Sequence, residues 1–285
     1  MKSIIALNDK VITHNNINFS AGEVQIKVPA MLIQSHNTVT AHICDSDGIM
    51  LLMQLSSIIA QYNNTLVIPY LPYSRYDRID KPNDSLSLKV FCNMINSLQY
   101  DKVITHDCHS DVGVALLNNC ISIPQHLLVI DMFDNIVNDK SQLDMFASDT
   151  FDDIQKYDAI VAPDAGASKK AFKLAQLLGK PLIECSKHRD FKTSKIINFT
   201  VPSQQLLDNN ITEVLIVDDI ADGGSTFIGL ANELLMYVDN VDLYVTHGIF
   251  SKGTKALEKH IRKVYAYHNW LTMDPDTINN NLRFT

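Results

Sequence analysis

Short apolar runs alternate with amphipathic stretches along most of this chain. Val39 to Cys44 predicts a strand, and Ile49 to Tyr62 a helix with Leu52, Leu55, Ser56 and Ile59 spaced for one face. Thr65 to Pro69 predicts the next strand, followed by a polar loop to about Asp84. Ser85 is placed to cap a helix carrying Leu88, Phe91, Cys92, Ile95 and Leu98, and Lys102 to Thr105 predicts another strand. A second series begins with a strand over Ala159 to Ala162 and a helix over Ala167 to Leu178, stopped by Gly179-Lys180-Pro181. Leu182 to Cys185, Lys195 to Val201, Val214 to Val217 and Val241 to Thr246 predict further strands. The stretch after Ser225 predicts a helix carrying Ile228, Leu230, Ala231, Leu234 and Leu235. Strand and helix in alternation imply an α/β fold with mostly parallel sheets flanked by helices. Two tandem halves are expected, 1–130 and 131–285, with the last residues packing back on the first half.

Composition narrows the function classes. Hydrophobic residues make up 46% of the 285 positions, enough for packed cores. With 24 basic and 32 acidic residues the formal net charge is −8, which argues against a broad basic face for nucleic acid. The five cysteines (Cys44, Cys92, Cys108, Cys120 and Cys185) are odd in number and lack C-x-x-C spacing, so neither a disulfide framework nor a zinc site is expected. A reducing, cytoplasmic setting fits this usage. No apolar run reaches the ~18 residues of a membrane span, and the start of the chain lacks a signal-peptide pattern.

The most informative stretch is Val214 to Phe227. A buried strand leads to Asp218 and Asp219, then to Asp222, Gly223, Gly224, Ser225 and Thr226 at a helix start. Carboxyl ends of strands in open α/β sheets are where ligands bind. Small residues let backbone N–H groups converge there, and a helix N-terminus adds positive potential, which suits a phosphate monoester. The paired aspartates suit sugar hydroxyls or a metal beside it. The plain alternative is an acidic turn with no ligand.

Four more segments carry candidate chemistry. Pro69 to Arg78 presents Arg75 and Arg78 with Tyr73 and Tyr76, guanidinium forks for phosphate and flat rings for a base. Thr105 to His109 ends a strand with His109, a possible metal ligand or phosphate contact, and with His106. In Ala162 to Lys170, Asp164 stands at a strand end, suited to a metal-bound water or to capping the next helix. Ser186 to Asp190 concentrates positive charge that could cover a developing anion, or simply form a charged surface hairpin.

In this order the segments resemble the ribose-phosphate pyrophosphokinase (PRPP synthetase) family, with its tandem phosphoribosyltransferase-like domains. Phe19 to Glu23 is similar to the family's F-S-x-x-E element, Tyr73 to Arg78 to Y-A-R-Q-D-R/K, and Asp107 to His109 to D-L-H. Ala162 to Gly166 matches S-P-D-A/H-G, and Lys187 to Arg189 the K-x-R of the catalytic loop. Asp218 to Thr226 matches the PRPP loop, and Thr246 to Ser251 a late T-H-G-I/V-F/L-S element. The resemblance runs from about residue 19 to 267. It implies transfer of a diphosphoryl group from MgATP to the C1 hydroxyl of ribose 5-phosphate. It also implies roles. Lys187 and Arg189 would be catalytic. Phe19, Glu23, Arg75, Tyr76, Asp77 and His109 would bind ATP. Asp218, Asp219, Asp222, Gly223, Gly224, Ser225 and Thr226 would bind ribose 5-phosphate, and His109 and Asp164 would serve Mg²⁺. Phe19 and Glu23 would border the adenine site of a neighbouring subunit, implying a homo-oligomer.

Three departures stand out. Tyr76 replaces the family's usual Gln, Ser110 to Ala115 replaces a segment that makes allosteric and subunit contacts in many members, and Gly223-Gly224-Ser225 replaces T-A/C-G. Competing readings are a phosphoribosyltransferase that consumes PRPP, and a non-catalytic regulatory subunit of the same fold.

Overall fold

The structure of the protein, a computed structural model, describes residues 2–13, 16–138, 154–189 and 196–271. The chain divides into two units at Ile123/Pro124. The expected packing of the last residues lies outside the described residues.

The first unit contains β1 (Ile4–Leu7), β2 (Lys10–Val11), β3 (Ile17–Asn18), β4 (Val24–Gln25), β5 (His36–His42), α1 (Ser46–Ile59), β6 (Asn63–Val67), α2 (Ser87–Ser97), β7 (Lys102–His106), α3 (Asp111–Leu116) and β8 (Cys120–Ile123). Its main sheet runs β2-β1-β5-β6-β7-β8. From β5 onward neighbours are parallel, whereas β1 is antiparallel to both β2 and β5. The parallel strands are laid down in chain order. Right-handed crossovers that always step the same way place their helices on one face. One core forms there from Leu51, Leu52, Leu55 and Ile59 of α1, Leu88, Phe91 and Ile95 of α2, and Val39, Ala41, Leu66 and Val103 of the sheet. Helix α1 begins three residues earlier than the apolar pattern predicts, because Asp45 caps it by accepting a 2.8 Å hydrogen bond from the Gly48 N–H. Helix α2 begins at Ser87 with no side-chain cap, so Ser85 does not play the capping role expected of it.

The second unit contains α4 (Gln125–Asn138), β9 (Ala159–Ala162), α5 (Ala165–Leu178), β10 (Leu182–Glu184), β11 (Ser186–Arg189), β12 (Ile196–Thr200), α6 (Ser203–Asp208), β13 (Glu213–Ala221), α7 (Ser225–Leu234), β14 (Asn240–Gly248) and β15 (Val264–Asn269). Its five-stranded sheet has the order β10-β9-β13-β14-β15, all parallel. Helices cover both faces. Leu174 of α5, Phe133 of α4, Leu215, Val217 and Tyr244 build one core, while Leu206 of α6, Leu230 and Leu234 of α7, Val214 and Ile216 build the other. This two-sided burial explains why Ala159 to Ala162 and Val214 to Val217 are continuous apolar runs. Gly179 ends α5 at φ 66°, a left-handed stop that frees the Lys180 N–H to donate to Ala175 O at 2.9 Å.

A charged network sits at the start of the strands. Asp242, fully buried in β14, accepts from Tyr157 Oη at 2.7 Å and from Arg262 Nε and Nη2 at 3.0 and 2.8 Å. Arg262 also donates to Glu213 at 2.7 Å.

Candidate active site

In the second unit the strand order reverses between β9 and β13: the chain leaves β9 outward to β10 and returns to the far side as β13. Such a switch point leaves a crevice outside the carboxyl ends of the strands. Asp164 follows β9, Asp218 and Asp219 lie in the last four residues of β13, and Asp222 follows it, so these four predicted residues stand at one edge of the sheet. Strand β13 continues to Ala221, paired with β14 as far as Gly248, which corrects the expectation that it ends at Val217.

Asp164 caps α5. One carboxylate oxygen accepts from the N–H groups of Gly166 and Ala167 at 2.9 and 3.2 Å, and the other takes a hydrogen bond from the Lys187 ammonium. Burial pushes this carboxyl up, but Lys187 and the two amides outweigh it and hold it below the usual carboxylate range. Lys187 reaches it from β11, which pairs antiparallel with β12 in a hairpin. Phe199 is the residue directly opposite Lys187, and its ring packs against Gly229 of α7. The hairpin is thereby seated on a helix while its lysine faces the crevice. Arg189 ends β11, and its side chain lies outside the described residues.

Asp218 accepts from the Asp219 N–H at 2.9 Å. Burial, then the adjacent Asp219 charge and the nearby Asp164, push the Asp218 carboxyl well above the usual range. Carboxylates so crowded favour a proton on one of them until a cation or a hydroxyl donor arrives. One oxygen of Asp222 is buried with no hydrogen-bond partner, an acceptor short of a donor.

The turn that follows leaves a helix start open. Gly224 stands at φ 76°, where a side chain would be strained and would also press to 3.1 Å on Leu257. It precedes α7, and no side chain caps that helix, so the Ser225 and Thr226 end presents uncapped N–H groups.

In the first unit Arg75, Tyr76 and Asp77 follow β6, and His109 follows β7. The His106 N–H donates to Pro69 O at 3.0 Å, tying the Thr105–His109 loop to the loop that carries Arg75. Arg78 donates to Asp77 at 3.1 Å, and His109 lies near the same carboxylate. Burial opposes ionisation of Asp77, but the Ser110 hydroxyl, Arg78 and His109 together hold it below the usual range. The rings of Tyr73 and Tyr76 stand exposed, at 44% and 64%. Phe19 and Glu23 meet across the β3–β4 turn, where the Phe19 N–H donates to Glu23 O at 2.8 Å. Gln54 of α1 pins that hairpin through Val24 O and the Ile26 N–H, both at 2.8 Å.

Among the described residues no group of three or more His, Cys, Asp or Glu side chains is arranged to hold a metal ion, and no helix is long and apolar enough to cross a membrane. All five cysteines are free thiols, and burial pushes Cys92, Cys120 and Cys185 up to about 12, so these three are poor nucleophiles. The sequence pattern misses Lys252, which lies over Gly223, and the Phe199–Gly229 seat of the hairpin. Both are contacts between distant segments.

Comparison with known proteins bears on the family and the fold. Residues 4–98 match the family model of the N-terminal domain of ribose phosphate pyrophosphokinase. A ribose-phosphate pyrophosphokinase from Pyrococcus abyssi is 28% identical over 263 residues, covering 87% of this chain and 82% of that protein. The Aquifex aeolicus ribose-phosphate pyrophosphokinase is 28% identical over 254 residues, 87% of this chain and 74% of the relative. The crystal structure of phosphoribosylpyrophosphate synthetase from Mycobacterium smegmatis superposes with a TM-score of 0.66 at 18% identity, covering 94% of this chain and 84% of that one.

Proposed function

We infer that this chain, which groups with the ribose-phosphate pyrophosphokinase family, is a ribose-phosphate diphosphokinase. It transfers the β,γ-diphosphoryl group of ATP to the C1 hydroxyl of ribose 5-phosphate and releases AMP. The observation that carries the reading is the switch-point crevice, where an uncapped helix start, a Gly-Gly turn and an aspartate pair stand beside a lysine-bearing hairpin.

The 5-phosphate would sit on the Asp222–Thr226 turn, taking N–H groups and the hydroxyls of Ser225 and Thr226. Asp218 and Asp219 would take the ribose diol, and the unsatisfied Asp222 oxygen is free to accept from a substrate hydroxyl. In the reaction the C1 oxygen bonds to the β-phosphorus, the bond from that phosphorus to the α,β-bridging oxygen breaks, and the C1–OH proton is released. Charge grows on the nonbridging and leaving oxygens. Fixed positive charge at that point lowers the barrier most, since phosphoryl-type transfer rests on positioning and electrostatics. Lys187 and Arg189 would supply it, with Lys187 leaving Asp164 to do so. Phe19, Glu23, Arg75, Tyr76, Asp77 and His109 would hold the nucleotide, Tyr76 offering a ring face in place of an amide. Mg²⁺ fits the donor set: Asp218 and Asp219 are adjacent hard oxygen donors, and this ion takes one or two carboxylates together with substrate phosphates. Asp164 and His109 are further candidates to hold it. It would screen the charge of the polyphosphate. A homo-oligomer follows if Phe19 and Glu23 complete a neighbour's nucleotide site, and a cytoplasmic setting fits the thiols.

The test is incubation of purified protein with ribose 5-phosphate, ATP and Mg²⁺, following AMP and PRPP by chromatography. Equal amounts of both establish the transfer. Bound ribose 5-phosphate or PRPP without turnover would point instead to a phosphoribosyltransferase or a regulatory subunit.

A further inference from the structure

The loop after β14 covers the Asp222–Thr226 turn, and its placement is fixed at several points. The N–H groups of Ile249 and Phe250 both donate to Ala221 O, at 2.8 and 3.1 Å. Phe250 buries its ring and takes φ 47°, and the Gly253 N–H donates back to Phe250 O at 2.7 Å. Farther along, Leu257 packs on Gly224. Ser251 and Lys252 form the tip of this turn, and the lysine stem crosses Gly223. A Cβ built at Gly223 would lie 3.8 Å from Lys252 Cε and 4.0 Å from its Nζ. Lys252 is exposed and has no ion pair or hydrogen bond among the described residues.

The electrostatics of the turn give this lysine a task. A phosphomonoester dianion seated there has Asp218, Asp219 and Asp222 for neighbours. A helix N-terminus supplies the equivalent of about half a positive charge, too little to offset them. Among the described residues Lys187 also brings a cation to this crevice, but it is held by Asp164. Lys252 brings a full charge on a flexible stem, already at the glycine over which the phosphate would lie.

We propose that Lys252 binds the phosphate end of the sugar substrate and selects a phosphorylated sugar over a neutral one. The proposal rests on reading the Asp222–Thr226 turn as the sugar-phosphate cradle. It assigns Lys252 to substrate binding and not to the diphosphoryl transfer, so its loss should appear in one kinetic constant only.

Lys252→Met and Lys252→Arg would be compared with the wild type by calorimetric titration with ribose 5-phosphate and by steady-state turnover. Loss of one charge-assisted contact in a half-open site should weaken ribose 5-phosphate binding and raise its KM on the order of tenfold. The kcat and the KM for ATP should stay within about twofold, and Lys252→Arg should recover most of the loss. Unchanged binding in Lys252→Met overturns the proposal, and so does a loss confined to ATP. Protein that binds the sugar phosphate without turnover would sink the diphosphokinase reading, and the same binding comparison would still decide the role of Lys252. Wild-type protein that does not bind ribose 5-phosphate overturns both.

Discussion

Gly229 lies inside α7, where alanine would ordinarily be the better residue by about 1 kcal/mol. Here the substitution should do harm, and at a distance. A Cβ at 229 would fall 2.5 Å from Phe199 Cε2 and 3.3 Å from its Cδ2, against the 3.5–4.0 Å typical of carbon contacts. The ring must retreat by about 1 Å, and overpacking of this kind costs roughly 1–3 kcal/mol. Set against the helix gain, net destabilisation of Gly229→Ala is about 0–2 kcal/mol, so the melting temperature should fall by a few degrees at most. Phe199 is the cross-strand partner of Lys187, so moving the ring moves the lysine. A misplacement of about 1 Å is enough to lower turnover on the order of 10²-fold. Turnover would be followed by AMP release, beside a thermal melt and the KM for ribose 5-phosphate. The expected result is a 10- to 100-fold lower kcat with KM within about twofold, partly restored in Gly229→Ala/Phe199→Leu, where the smaller side chain makes room. An intact kcat in Gly229→Ala would refute the seat. A kcat equally low in the double variant would place the damage in α7 itself.

Lys187→Ala should cut kcat about 10²- to 10³-fold while ribose 5-phosphate binding holds, because the charge acts mainly in the transition state; lost binding with turnover unchanged would remove that role. Asp222→Ala should weaken ribose 5-phosphate binding on the order of tenfold in a direct titration, and an unchanged affinity would move the sugar phosphate elsewhere. Asp242→Ala leaves Tyr157 without its acceptor and Arg262 with Glu213 alone, and should destabilise the protein by about 1–3 kcal/mol in chemical denaturation. A shift under about 1 kcal/mol would show that the network is replaceable.

What the sequence made legible was local. Val214 to Val217 announced a strand buried on both sides, and Gly179 announced the end of α5, because each signal resides in a few adjacent residues. Strand β13 ran past its apolar run because its later pairing with β14 is made by backbone groups, which Asp218 and Asp219 do not disturb. Strands β1 and β15 escaped notice for other reasons: Ile4–Leu7 stands outside the strand–helix alternation and pairs antiparallel, and Val264–Asn269 mixes rings with an imidazole and an amide. The candidate site was readable as separate motifs, and the comparisons support the family they suggest. The convergence of the second unit's motifs at its switch point depends on strand order. Lys252 stayed hidden because nothing in the residues around it shows that the turn it occupies folds over Gly223.

The bond between Lys187 and Asp164 behaves as a clasp with one fixed jaw. When the lysine departs, the carboxylate it leaves still holds two backbone N–H groups, so it is not stranded and α5 keeps its cap. Both side chains are partly open to water, where an ion pair is worth about 1 kcal/mol or less, small beside the pull of a polyphosphate. In the proposed reaction Lys187 can therefore leave Asp164 and return to it without loosening the start of α5.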